Sequence, residues 1–294
     1  MHFTKILCAT DFSPGAKQAT QVAIRLAREA AAELVFVHAW AVPAAAYPIE
    51  APFPVDLIDR LVEDARTSLD TAVREAVAQG VKTATGRLAN GQVWRAIVDE
   101  LEQTRTAPYD LCVIGTHGRT GLSRVLLGSV AEKVLRHAPC SVLVVRPDGE
   151  PRPFHHALVP TDFSESAEHA FDLAASLVDP SGSISLLHVI EVPMAYAGEP
   201  LLELARDLDA PAAAALEKSV VRFRTRSNLA VDSRNRIGSP GGQILTALEA
   251  DRSIDLVVMG SHGRSGVERI LLGSVAEKVA RNARCPVLVA RRRK

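Results

Sequence analysis

Apolar and polar positions alternate along this chain in blocks of two kinds. Short apolar runs of about six residues stand between longer segments whose apolar positions recur at helical spacing. Lys5–Thr10 (KILCAT) is apolar throughout and bounded by Asp11, which predicts a buried strand. Ser13-Pro14 follows, with Ser able to cap a helix and Pro suited to its first turn. Ala16, Ala19, Ala23, Ile24, Leu26, Ala27 and Ala30 then line one helical face, and Leu34–Trp40 predicts the second strand. Strand, helix, strand in this order is the parallel crossover unit. After a proline-rich loop over 41–54, the pattern predicts a helix from Val55 to about Gln79 and an edge-like strand over 82–88. Asn90-Gly91 opens another helix to about Arg105. Asp110–Gly115 and Ser141–Arg146 are the fourth and fifth strands, with a helix over Ser129–His137 between them.

The same order then runs again. Ala157–Thr161, Ile184–Val189, Asp255–Gly260 and Pro286–Ala290 read as strands one, two, four and five of a second half. Asp11-Phe-Ser13 returns as Asp162-Phe-Ser164, His38 as His188, and Gly91-Gln92-Val93 is matched to Gly242-Gln243-Ile244. The offsets are 151, 150 and 151, then 145 from Asp110/Asp255 onward, which predicts that six residues are lost at one place, the turn before the fourth strand. Residues 1–147 and 156–294 are therefore expected to be two α/β domains, joined by a linker over 148–155 rich in Pro and Gly.

Between strand four and its helix lies Gly115-x2-Gly118-x9-Gly128-Ser129, repeated as Gly260-x2-Gly263-x9-Gly273-Ser274. Each copy also carries a His and two Arg: His117, Arg119 and Arg124, then His262, Arg264 and Arg269. From this loop to the fifth strand about two-thirds of positions are identical between halves, more than anywhere else. In an open parallel sheet, ligands sit beyond the carboxyl ends of the strands. Glycines let backbone N–H groups turn inward, and a helix start favours an anion. That is a phosphate cradle. A structural alternative stands beside it: Ser129-Val-Ala-Glu132 and Ser274-Val-Ala-Glu277 both have the spacing of a capping box. A helix terminus supplies only about 0.3–1 kcal/mol, while micromolar binding needs about 8 kcal/mol. Asp11 and Asp162, as acceptors from ribose or base, and Ala39 and Val189, as an apolar wall, are the candidates for the rest. The two Asp residues could equally cap a helix, and the wall could be ordinary core. His38 and His188 read as satisfied core histidines.

Composition narrows the field. With 34 basic and 34 acidic residues the net charge is zero, which argues against nucleic acid. No apolar run approaches ~18 residues, so no membrane span is expected. The start of the chain lacks a signal-peptide layout. Cys8, Cys112, Cys140 and Cys285 form no C-x-x-C pair and read as reduced core thiols of a cytoplasmic protein. A P-loop, a G-x-G-x-x-G after the first strand, a zinc set at His155-His156 and a nucleophile with its base are not found.

On these glycine motifs and first-strand Asp residues, the chain resembles the universal stress protein family in its tandem form. The resemblance implies two doubly wound domains, each a five-stranded parallel sheet of order 3-2-1-4-5. It implies ATP as ligand, with Mg2+, bound without catalytic residues. Thr10, Asp11 and Ala39 would surround adenine and ribose, and Gly115, His117, Gly118, Arg119, Gly128, Ser129 and Val130 would hold phosphates. The second half carries over as Thr161, Asp162 and Val189, with Gly260, His262, Gly263, Arg264, Gly273, Ser274 and Val275. Ala39 departs from the valine common there. A stress-response sensor or binding module is expected. A slow ATPase or adenylylating enzyme and a nucleotide-free partner-binding pseudo-dimer are the alternatives. The family's use of its last strand in dimers implies that the two fifth strands meet antiparallel within this chain, with a homodimer of whole chains left open.

Overall fold

The structure is a computed structural model, and it describes residues 3–41, 55–103, 107–116, 127–147, 152–191, 199–263 and 272–292. Apart from Leu127, these fall into two compact units that divide at 151/152.

The first unit runs β1 (Lys5–Ala9), α1 (Pro14–Ala30), β2 (Glu33–Trp40), α2 (Val55–Ala78), β3 (Ala84–Asn90), α3 (Val93–Gln103), β4 (Leu111–Gly115), α4 (Ser129–His137) and β5 (Ser141–Val145). Its five strands are parallel in the order β3-β2-β1-β4-β5. β1 and β4 lie inside the sheet and are apolar on both faces. β3 is at the edge and mostly exposed, as its polar sequence predicts. α1 starts where Ser13 accepts the N–H of Ala16 and Pro14 takes the first turn. Its alanine-rich face is buried. Small side chains let the helix lie close to the sheet, so that a Cβ on Gly115 would stand 3.1 Å from the carbonyl oxygen of Gly15.

The second unit runs β6 (Phe154–Thr161), α5 (Glu165–Leu177), β7 (Val178–Ile190), α6 (Glu199–Arg224), β8 (Ala230–Ile237), α7 (Pro240–Ala250), β9 (Leu256–Gly260), α8 (Ser274–Asn282) and β10 (Val287–Ala290). These strands too are parallel, in the order β8-β7-β6-β9-β10. Both units thus have the doubly wound order 3-2-1-4-5. One strand is longer than its hydrophobic run. β7 begins at Val178 rather than Ile184, because Phe154 pairs with Val178 before the register shifts and His156 resumes opposite Ser183. Gly182 permits this, since a side chain there would collide with the carbonyl of His155.

Register also corrects the alignment of the halves. Gly91 has φ 124° and donates its N–H to Trp40 O at the end of β2. The residue that does this in the second unit is Gly238, with φ 135° and its N–H on Ile190 O. Gly242, matched to Gly91 on sequence, lies inside α7. Gly91 and Gly238 differ by 147, as do both ends of α3 and α7. The offset therefore falls from 151 at Lys5/His156 to 150 at Glu33/Ser183, 147 at Ala84/Val231 and 145 at Leu111/Leu256. The six residues are lost in three places, and only two of them in the turn before the fourth strand.

Candidate functional site

The site is built on the turn after the first strand of each unit. In the first unit Thr10 donates its N–H to Val37 O, so the chain leaves β1 still tied to β2. Thr10 Oγ1 accepts the N–H of Phe12 at 3.1 Å, and Asp11 Oδ1 accepts the N–H of Ser13 at 3.0 Å. Phe12 sits in the left-handed region at φ 59°, a conformation that costs a non-glycine residue roughly 1–3 kcal/mol. His38 holds it there. Its Nδ1 donates to Thr10 O at 2.8 Å, and its ring lies 5.0 Å from that of Phe12. A carbonyl only accepts, so Nδ1 carries the proton.

The second unit repeats each part. Phe163 has φ 64°, its N–H reaches Thr161 Oγ1 at 3.0 Å, Asp162 Oδ1 accepts from Ser164 N–H at 3.1 Å, and His188 Nδ1 donates to Thr161 O at 2.8 Å. The rings of Phe163 and His188 are 4.5 Å apart. His38 and His188 are indeed satisfied, but by the site turn itself: each locks the strained turn that presents an Asp. Sequence reasoning passed over this role and that of Phe12 and Phe163. The signal was available in the repeated Asp-Phe-Ser and a His at matching distance. The helices are capped by Ser13 and Ser164 rather than by the Asp residues, whose Oδ1 atoms brace the turn.

The second component is the helix after the fourth strand. Gly128 donates its N–H to Thr116 O at 2.8 Å, and Gly273 donates to Ser261 O at 2.9 Å. These glycines, not the serines, are the N-caps of α4 and α8. The capping-box spacing therefore does not operate as such. A Cβ at 128 would stand 2.8 Å from Thr116 O, and one at 273 would stand 3.1 Å from Ser261 O, so the chain crosses too closely for a capping side chain. Ser129 and Ser274 are exposed first residues of their helices, on the turn whose N–H groups lack intrahelical partners. Val130 and Val275, next along, are half-buried. Gly115 and Gly260 are the last residues of their strands rather than loop residues. A Cβ on Gly260 would collide with Ser166 at the start of α5. Ala39 and Val189, one residue before the last of β2 and β7, are half-buried, as a wall open on one side requires.

In the second unit the two components meet. A Cβ on Gly263 would stand 2.9 Å from Oδ2 of Asp162, so Gly263 lies directly against the carboxylate that follows the first strand. His262, beside it, pairs its Nδ1 with Ser261 Oγ at 2.9 Å, and among the described residues its buried Nε2 has no hydrogen-bond partner. In the first unit Thr10, Asp11, Ala39, Gly115, Gly128, Ser129 and Val130 all stand at the carboxyl end of the sheet. His117, Gly118, Arg119, Arg124, Arg264 and Arg269 lie outside the described residues. All four cysteines are buried and none is in a disulfide. Among the described residues no group of three or more His, Cys, Asp or Glu could hold a metal, and no helix is long and apolar enough to cross a membrane.

A model of the universal stress protein family matches residues 2–146 and again residues 153–291. A universal stress protein of Mycolicibacterium smegmatis is 28% identical over 98% of this chain and 97% of its own. Universal stress protein MJ0531 of Methanocaldococcus jannaschii is 38% identical over 49% of this chain and 82% of its own. Among solved structures, a universal stress protein from Archaeoglobus fulgidus aligns over 98% of both chains with a TM-score of 0.68. At 23% identity this is a likeness of fold.

Proposed function

We propose, from the premise that this chain belongs to the universal stress protein family, that each unit binds ATP with Mg2+ and that the protein is a cytoplasmic stress-response sensor or binding module rather than an enzyme. Bound ATP would supply negative charge and a signal of nucleotide level. Thr161, Asp162 and Val189 would meet its base and ribose, and Thr10, Asp11 and Ala39 would do so in the first unit. The glycine loops, with Ser129 and Ser274 at their helix starts, would take the phosphates, and Arg119, Arg264, His117 and His262 would add donors. The observation that carries this reading is the approach of Gly263 to the Asp162 carboxylate, which brings ribose-type and phosphate-type groups to one place. Three features fit it. The serine hydroxyls are not used as caps. Among the described residues, His262 keeps an unpartnered buried nitrogen. The Asp-bearing turns are held in a strained shape.

Calorimetry of the full chain with ATP and Mg2+ tests it. Saturable binding is expected, weakened at one of two sites by Gly263→Ala, because the added Cβ displaces the Asp162 carboxylate. Folded protein that takes up no ATP, or a variant that binds as the parent does, would overturn it.

A further inference from the structure

Two cavities open in the second unit among the described residues. A cavity of about 500 Å³ opens at the amino ends of β6, β7 and β8, lined by His156, Ser183, Ser185 and the turn after α6. A second of about 200 Å³ lies between α7 and the strands, lined by Ser185, Arg234, Arg236 and Ala247. Ser185 lines both.

Register explains the void position by position. In the first unit Lys5 bridges to Glu33 at 3.3 Å; the same two places hold His156 and Ser183. Val35 becomes Ser185. Glu100 accepts a hydrogen bond from Tyr109 Oη at 2.8 Å and pairs with Arg87 at 3.2 Å. Ala247 stands for Glu100 and Ile254 for Tyr109, while Arg87 is kept as Arg234. Each change removes bulk or a cross-link. His156 shares its two ring nitrogens with Ser253 and Ser185, at 2.8 Å each. Arg234, deprived of a Glu100 equivalent, reaches Asp232 only at 3.4 Å, and Arg236 reaches Gln243 at 3.3 Å.

We propose that these adjoining cavities form a second ligand groove in the second unit, lined by residues other than those of the nucleotide site, for a small hydroxylated molecule bearing one anionic group. The hydroxyls would lie against His156, Ser183 and Ser185 in the larger part, and the anion beside Arg234 and Arg236. The larger volume is within the roughly 300–1,000 Å³ of small-molecule pockets. Serine, imidazole and guanidinium together offer donors and acceptors in the mixture that a polyol needs, and the arginines give the anion its counter-charge. The inference is independent of the ATP reading, since no residue is shared.

The test is amide NMR of the full chain titrated with glucose 6-phosphate, with glucose and inorganic phosphate as the separate halves. Saturable shifts are expected at Ser183, Ser185 and Arg234, tighter for the whole probe than for either half. Ala247→Glu, which refills the groove with the first unit's residue, and Arg234→Ala, at an exposed edge-strand position, are each expected to weaken binding about tenfold without altering ATP uptake. The proposal is overturned by the absence of saturable shifts at millimolar probe, or by shifts confined to the loop at Gly263. It is equally overturned if inorganic phosphate alone matches the whole probe, or if neither variant changes the affinity.

Discussion

The two units agree where their strands end and differ where their strands begin. At the carboxyl ends the Thr-Asp-Phe-Ser turn, its histidine and the glycine-capped helix recur bond for bond. At the amino ends an ion pair, a buried tyrosine and a glutamate in one unit face serines, an alanine and an isoleucine in the other. The difference separates two kinds of constraint. A strained turn holding an Asp tolerates few solutions, because the left-handed Phe, the hydroxyl that accepts its N–H and the ring that locks it must all be present together. An amino end needs only to be closed against water, which many combinations of side chains achieve.

Packing is where the units should diverge most. Phe171 of α5 stacks on Phe223 of α6 with centroids 3.6 Å apart and planes 9° from parallel. Its counterpart in α1, displaced by 151, is Thr20, whose hydroxyl faces Cys8 Sγ at 3.9 Å. Phe171→Ala should cost about 3–5 kcal/mol, the usual range for a buried aromatic, and Thr20→Ala only about 1 kcal/mol. Denaturant unfolding of the two variants decides. Equal costs would mean that the helices are held to their sheets by the same means.

Alkali should also tell the units apart. Burial pushes the Cys8 thiol from 9.0 up to about 12. Burial raises Cys112 as well, and burial with the hydrogen bond to Glu100 raises the Tyr109 phenol. In each case the folded state keeps a proton that the unfolded chain releases. The stabilisation is complete below the unfolded value and is lost as pH rises towards the folded one. For Cys8 that window is pH 9 to 12, with a slope of about 1.4 kcal/mol per pH unit for a single group. Cys8→Ala should flatten the fall over that range in pH-dependent unfolding of the first unit. An unchanged curve would show that the thiol does not titrate on unfolding.

The turns before the fourth strands reach the same end by different chemistry. In the first unit Glu100 receives the Tyr109 hydroxyl. In the second, Arg284 donates to the carbonyls of Leu248, Asp251 and Ile254 at 2.9, 2.8 and 3.2 Å, tying the end of α7 to the shortened turn. Tyr109→Phe and Arg284→Ala should each cost about 1–3 kcal/mol, because each leaves acceptors without donors. Thermal unfolding measures both. A neutral Arg284→Ala would mean that the shortened turn holds itself.

The fold was readable because the parallel sheets bury strands on both faces, and such strands announce themselves as apolar runs: Lys5–Ala9 and Leu111–Gly115 are found where their composition places them. β3, exposed at its edge, is offset by two residues from its predicted span, since a polar strand carries little pattern. Gly242 was matched to Gly91 because both precede Gln and a β-branched residue. Their equivalence is contradicted only by backbone dihedrals and a hydrogen bond to the second strand, which no side chain records. For the same reason the capping box misled: Ser-x-x-Glu is a statement about side chains, while the choice of Gly128 as cap is made by the carbonyl of Thr116 crossing beneath it. The Asp11 and Asp162 turns were legible as motifs, but the partnership of His38 and His188 with them was not, because β2 and β7 bring those rings in from 27 residues away or more.

The smallest expected change in stability bears most directly on the shared carboxyl ends. Ser129 and Ser274 are first helical residues, exposed, with the cap position already taken by glycine. Replacing either with Ala should shift unfolding by less than about 0.5 kcal/mol, as surface substitutions do, whereas loss of a true N-cap costs about 1 kcal/mol. If the hydroxyls serve a phosphate instead, the same variants should lose about tenfold in ATP affinity, or 1.4 kcal/mol of binding. A change confined to binding is then the signature of a ligand contact, and one confined to folding is the signature of a cap. Because the two serines have the same helical position in units that differ elsewhere, the pair should respond alike in both measurements. A Ser129 variant that loses stability while the Ser274 variant loses affinity would break the likeness of the two sites at the point where their sequences agree best.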